Sequence, residues 1–249
     1  VKQQDVYYVK EVVVPDGYRD DGKVWEVKPD YGSFDTVEMT NTPIRCDVSV
    51  DKKDKETSDP QGDARLSGAT YGLYALETVN YPDGRGIVSY AGNDNITSTA
   101  GTDFYSTGTP ANAGALLATL KTDEAGNFNF GNLYYGKYYI QEIEPSEGYL
   151  LDETKYVVDY SKEPNTHQNI SVTRHVVETV KKQPFEIIKV STDGDDTETD
   201  YVEDAEFTVK LQSEIDKVGW DAAKVYDTLV TDEKGYGESG NRKRDYFNR

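Results

Sequence analysis

The sequence predicts an all-β protein built from tandem β-sandwiches, and three observations carry that expectation. Twenty Tyr stand against one Met, two Trp and seven Phe, in a chain rich in Thr and Val, a composition that favours strands over helices. Short alternating apolar and polar stretches are separated by Gly, Asp and Asn turns. Three strings of this kind recur, so internal repetition is the strongest signal in the chain.

Composition sets the outer bounds. The 249 residues are 36% hydrophobic and 12% aromatic, enough to build real cores in one large or two smaller domains. A net charge of -19 argues against nucleic acid as a partner, since phosphate binding rests on clustered Lys and Arg. Acidity spread along the chain reads as a solvated surface. Cys46 is the one cysteine, so no intrachain disulfide is possible. His167 and His175 are the two histidines, too few for a histidine metal site or triad, and no cofactor is expected. No apolar run approaches the roughly 18 residues of a membrane span, and no signal peptide is visible.

The repeat fixes the organisation. "YYVKEVVVPDGYR" at 7–19 matches "YYIQEIEPSEGYL" at 138–150, with Glu11 on Glu142 and Gly17-Tyr18 on Gly148-Tyr149. "TLKTDEAGNF" at 119–128 matches "TLVTDEKGYG" at 228–237, and the strand from Val48 matches the strand from Phe185. The order of these strings predicts the back of one sandwich at 1–43, a complete one at 44–182 and the front of another at 183–249.

Taken along the chain, the first strand places Tyr7, Val9 and Glu11 on one face. "FDTVEMTNTPI" then aligns Val37, Met39 and Asn41. "IRCDVSVDKKD" aligns Ile44, Cys46, Val48, Val50 and Lys52 on one face, so a lysine closes an apolar row. The stretch 79–116, rich in Gly, Asn, Thr and Ser, reads as a long loop or added hairpin inserted in the middle sandwich. Tyr138, Ile140 and Glu142 repeat the inward carboxyl, and Phe185, Ile187 and Lys189 repeat the inward lysine. "DGDDTETD" at 193–200 offers Asp193, Asp195 and Asp196 as Ca²⁺ ligands but lacks the EF-hand spacing, so a solvated loop is expected there. "QSEIDKVGWDAAKVYD" at 212–227 sets Ile215, Val218, Ala222 and Val225 at helical spacing and predicts a short packing helix.

A buried amine, carboxyl and carboxamide at the ends of apolar rows are each costly unless paired. One reading is a buried Lys–Glu ion pair with an Asn hydrogen bond. The other is covalent: a desolvated Lys loses its proton, a carboxyl in an apolar pocket keeps one, and the amine attacks the Asn side-chain carbonyl. The product is an intramolecular Lys–Asn isopeptide bond.

"KKD…LSGATYGLY…TDEAGNF…GNLYYGKYYIQEIEPSEGY" resembles the Cna B-type, or SpaA-like, prealbumin-like domains of Gram-positive surface adhesins and pilins, and "EMTNTPI" resembles their tandem junction. The resemblance spans the chain apart from 79–116. It implies a sandwich whose first and last strands are joined by an isopeptide bond promoted by the Glu of the Tyr-Glu strand. Carried over, Glu142 is the acid paired with Lys52, Glu11 and Asn41 belong to the first unit, and Lys189 belongs to the third.

One position departs from the pattern. Aligning "HVVETVKKQPFEI" with "EMTNTPIRCDVSV" sets Glu178 at the acceptor position of the middle unit. Either no bond forms there, or the Glu178 carboxyl condenses with Lys52, or the register differs and Asn169 serves.

The expected function is a stalk or shaft segment of an extracellular, cell-wall-attached surface protein, with neighbouring domains of the same protein as partners. A rival reading uses 79–116 to bind a host glycan or extracellular-matrix protein. A second rival, glycoside hydrolysis, requires Glu142 in an open cleft with another carboxylate. The front at 183–249 and the back at 1–43 are also complementary, which allows pairing between neighbouring molecules or between the two ends of one chain.

Overall fold

The computed structural model describes residues 5–30, 32, 36–91, 96–98, 105–106, 108–164, 166–192 and 200–240. The chain forms two compact units, 1–180 and 181–249. Asp193, Asp195 and Asp196 lie outside the described residues.

In the first unit, β1 (Tyr7–Lys10) and β2 (Val24–Val27) make a two-stranded ribbon. A sandwich follows, built from β3 (Arg45–Asp54), β4 (Thr70–Ala75), β5 (Thr97–Ser98), β6 (Tyr105–Ser106), β7 (Leu116–Lys121), β8 (Asn127–Tyr134), β9 (Lys137–Glu144), β10 (Tyr156–Asp159) and β11 (Ile170–Glu178). One sheet runs β10-β9-β4-β7-β6 and the other β11-β3-β8-β5. This is the all-β sandwich that the composition and alternation predict.

Alternation along β3 decides what faces the core. Cys46, Val48, Val50, Lys52 and Asp54 are buried and their neighbours are half-buried. The apolar part of the row shares one cluster with Phe128 and Phe130 of its own sheet and with Tyr71, Leu73, Tyr138 and Ile140 of the other. β3 pairs antiparallel with β8 but parallel with β11, Lys52 opposite Val176 and Asp54 opposite Glu178. The first and last strands of the sandwich are therefore direct neighbours. Tension applied at the start of β3 and the end of β11 loads them in shear.

The insertion is more than a loop. Val79, Val88, Tyr90 and Ala111 are fully buried, while β5 and β6 add an edge strand to each sheet. Tyr90 and Tyr138 share a hydroxyl hydrogen bond of 2.6 Å, and Tyr138 donates to the Tyr134 carbonyl at 2.7 Å. The described part of 79–116 thus belongs to the scaffold.

The second unit pairs β12 (Glu186–Ile188) with β15 (Tyr236–Glu238), and β13 (Glu206–Val209) with β14 (Asp227–Val230). Its turn chemistry repeats that of the sandwich atom for atom. Asp123 Oδ1 accepts the N–H groups of Ala125 and Asn127, and Asp232 Oδ1 those of Lys234 and Tyr236. Thr122 Oγ1 donates to the Leu66 carbonyl and accepts from Ala69 N–H, as Thr231 Oγ1 does with Val202 and Ala205.

Each turn ends in a glycine laid over a lysine. Lys52 N–H donates to the Gly126 carbonyl at 3.0 Å and Lys189 N–H to the Gly235 carbonyl at 2.7 Å. Gly126 has φ +82°, and a Cβ there would lie 2.5 Å from the Lys52 carbonyl oxygen. Gly126→Ala is expected to cost at least ~1 kcal/mol, since both the φ and the close approach exclude a side chain. An unchanged thermal midpoint would contradict this cradle.

The predicted helix is shorter than its pattern. α1 (Gln212–Val218) ends at Gly219 with φ +81°, a residue that stops helices readily. Val218 and Val225 are exposed and Ala223, not Ala222, is buried, so the periodic face is not a packing face. Phe185 and Lys189 are exposed as well. Among the described residues β12 pairs with β15 alone, and its inward row ends at the surface, with Ile187 half-buried and Lys189 exposed.

Candidate functional site

Lys52 sits at the core end of β3, wholly buried, with its Nζ 2.7 Å from Glu178 Oε2 on β11. The contact is as close as an ion pair allows, yet Glu178 Oε2 accepts no hydrogen bond of ordinary angle. Glu178 Oε1 instead accepts the Tyr71 hydroxyl. Lys52 Nζ also donates to Ser146 Oγ at 2.7 Å and lies 4.2 Å from the centre of the Tyr149 ring. The Tyr149 hydroxyl donates to Asp54 Oδ2 at 3.1 Å, so the next inward residue of β3 holds the ring under the amine.

Glu142, on β9, completes the cluster. It is 4% exposed, and its Oε2 accepts the Asp152 N–H at 2.9 Å. Burial pushes its carboxyl up from 4.5 to about 8. The adjoining Glu178 carboxyl adds to this, while the Asp152 N–H and the Lys52 charge oppose it. Glu142 Oε1 is buried and has no partner. With both groups ionised, neither Glu142 Oε1 nor Glu178 Oε2 takes part in a hydrogen bond; a proton held on Glu142 gives the two adjoining carboxyls a hydrogen bond to each other. Lys52, Glu178 and Glu142 then carry no net charge among the three of them.

This makes the ion-paired form pH-sensitive. Between pH 4.5 and about 8 the folded chain holds a proton on Glu142 that the unfolded chain has lost. Stability is therefore full below the lower value and falls as pH rises through the upper one. Lys52→Arg keeps the cation but cannot condense with a carboxyl. Its urea midpoint is expected to fall across this window, and adding Glu142→Gln should flatten the curve; a parallel decline in both would refute the assignment.

The other predicted residues fall into place differently. Asn41 Nδ2 donates to Glu11 Oε1 at 3.0 Å in a half-buried contact, which brings together the carboxyl and carboxamide of the first unit. Among the described residues, no ion pair links Glu11 to a lysine. Lys189 is exposed, but its backbone sits in the same glycine cradle as that of Lys52. Asn169 accepts the Arg45 N–H at the far end of β3, seven residues and about 23 Å from Lys52 at the rise of a strand. Glu178, not Asn169, therefore faces Lys52. Glu142 is enclosed, whereas glycoside chemistry needs an open cleft between carboxylates.

Sequence reasoning missed Ser146, Tyr71, Tyr149 and Asp54. Asp54 continues the inward alternation past Lys52, and Tyr149 is part of the repeated Gly-Tyr. Ser146 carries no such signal, because the residue aligned with it in the 7–19 repeat is Pro15.

The family model of the SpaA prealbumin-like fold domain matches residues 46–174. This is more than half of the chain, which belongs to that family. No curated protein matches it in sequence. Among solved structures, it is similar to the Bacillus anthracis TIE protein at 22% identity and a TM-score of 0.55, covering 94% of this chain and 34% of that one. It also matches a streptococcal ancillary pilin (18% identity, TM-score 0.34, 94% and 61% of the two chains). A third match is the major pilin SpaD from Corynebacterium diphtheriae (17%, 0.36, 57% and 32%). The chain thus spans about a third of the length of the TIE protein. At these identities the likeness is one of fold. Among the described residues, no helix is long and apolar enough to cross a membrane.

Proposed function

We propose that this chain is a stalk segment of a Gram-positive surface protein, a pilin or adhesin displayed at the cell wall, whose middle sandwich is closed by an amide bond between Lys52 and Glu178. The observation that carries the reading is the 2.7 Å contact between Lys52 Nζ and Glu178 Oε2 in a fully buried site, with a protonated carboxyl beside it. The membership in the SpaA prealbumin-like family supports it. On this reading 1–43 is the back of a preceding sandwich and 183–249 the front of a following one. Neighbouring domains of the same protein are its partners.

The chemistry balances without a cofactor. The Lys52 ammonium passes one proton to the Glu178 carboxylate, giving an amine and an acid. Nζ attacks Glu178 Cδ, and the Tyr71 hydroxyl steadies the negative charge that develops on Oε1. Glu142 gives its proton to the departing Oε2 hydroxyl, which leaves as water, and takes one proton back from the nitrogen. Glu142 ends as it began.

The mechanical consequence follows from topology. Force entering β3 reaches Lys52, crosses to Glu178 and leaves through Val180, so the chain between them bears none of it. Single-molecule pulling on 44–182 is expected to show no unfolding step that releases residues 53–177. A step of that full length would overturn the reading. A chemical test accompanies it. Glu178→Asn restores the carboxamide acceptor of the first unit and is expected to change the lost group from water to ammonia, as read by intact mass.

A further inference from the structure

Ser146 touches the amine yet has no task in the condensation, and it is 3% exposed. It follows β9 in a tight turn, where Tyr149 N–H donates to the Ser146 carbonyl at 3.1 Å. Its hydroxyl is the one oxygen that accepts a hydrogen bond of ordinary geometry from Lys52 Nζ, at 2.7 Å. Comparing the two copies within the chain sharpens its meaning. Where the acceptor is Asn41 the aligned residue is Pro15, which has no side-chain acceptor; where the acceptor is Glu178 it is Ser146. The two positions change together.

The balance of donors explains why. The ammonium has three N–H groups and three neighbours: the Glu178 carboxylate, the Ser146 hydroxyl and the Tyr149 ring. Once Nζ has condensed it keeps a single N–H, in a site that excludes water. The Glu178 oxygens then belong to the same amide group or have left as water, and the Tyr149 face is a weak acceptor. Glu142, again an acid, is a donor on the side facing the cluster. The Ser146 oxygen is the acceptor that remains, and an unsatisfied buried N–H would oppose the product.

We propose that Ser146 is the positioning residue of the Lys52–Glu178 site: its hydroxyl anchors Nζ beside the acceptor carboxyl before the reaction and takes the amide N–H afterwards. It thereby adapts the middle unit to a carboxyl acceptor. This rests on the condensation set out above.

The test compares two variants of equal shape, Ser146→Thr and Ser146→Val, in the full 249-residue chain. After cell-free synthesis, intact mass follows the fraction of molecules that have lost one water, and far-UV circular dichroism shows that each is folded. Ser146→Thr is expected to convert at the parent rate and Ser146→Val about tenfold more slowly, the effect of one hydrogen bond to a charged donor. Equal rates for Thr and Val in folded chains would overturn the assignment of Ser146 and leave the condensation standing. A parent chain that never loses water would overturn both. If Ser146→Val does not fold, Ser146→Ala replaces it, with the same two outcomes.

Discussion

Lys52→Ala is expected to be the most damaging single substitution in the sandwich. It removes the cation from a site where Lys52, Glu142 and Glu178 are all nearly or wholly buried, and leaves the Glu178 carboxyl with the Tyr71 hydroxyl and the Glu142 acid. Breaking a buried pair by deleting one partner costs about 3–5 kcal/mol. The covalent closure of 52–178 is lost at the same time, which the chain-entropy account values at roughly 5 kcal/mol for a loop of this size. Together these approach the whole stability of an ordinary domain, about 5–15 kcal/mol. Lys52→Met combined with Glu178→Leu loses the closure but buries no unpaired charge. The double variant is therefore expected to be more stable than Lys52→Ala in urea, and the reverse order would show that the ion pair does not govern the site.

Glu142→Gln is expected to separate folding from chemistry. Glutamine keeps the shape and can donate an N–H towards Glu178 while its carbonyl accepts from Asp152 N–H, so the cluster stays satisfied. It cannot give and recover a proton. The chain should fold with its ion pair intact and its full mass, and unfold at lower denaturant because the closure is missing, by roughly 5 kcal/mol on the chain-entropy account. A Glu142→Gln chain that still sheds one water would remove Glu142 from the reaction.

Much of this site is legible in the sequence because its parts lie on regular strands. Once Ile44 to Val50 are read as an inward row, Lys52 is inward too, and β3 buries the row as alternation requires. The same rule fixes Glu142, and the ungapped match between Asn41 and Glu178 finds the residue that meets Lys52. The repeated acidic turn is equally plain, since Asp123 and Asp232 fold their turns with the same bonds.

What stayed hidden depends on contacts between elements. Ser146 and Tyr71 reach the amine and the acceptor across the sandwich, and no local pattern states which turn comes to rest against which strand. The insertion reads only as a long loop or added hairpin because its strands are two residues long and its buried residues, Val79, Val88 and Tyr90, are scattered. Lys189 reads as inward, and its backbone obeys the pattern, but its side chain is exposed beside a sheet of two short strands. Alternation states which side a residue takes, not whether that side is an interior.

The bond between Lys52 and Glu178 is tested most directly by tandem mass spectrometry of a proteolytic digest. The expected product is a branched peptide in which the segment around Lys52 is joined to the segment around Glu178, one water lighter than the two together and absent from Glu142→Gln. Two linear peptides of full mass, with Lys52 free, would contradict it.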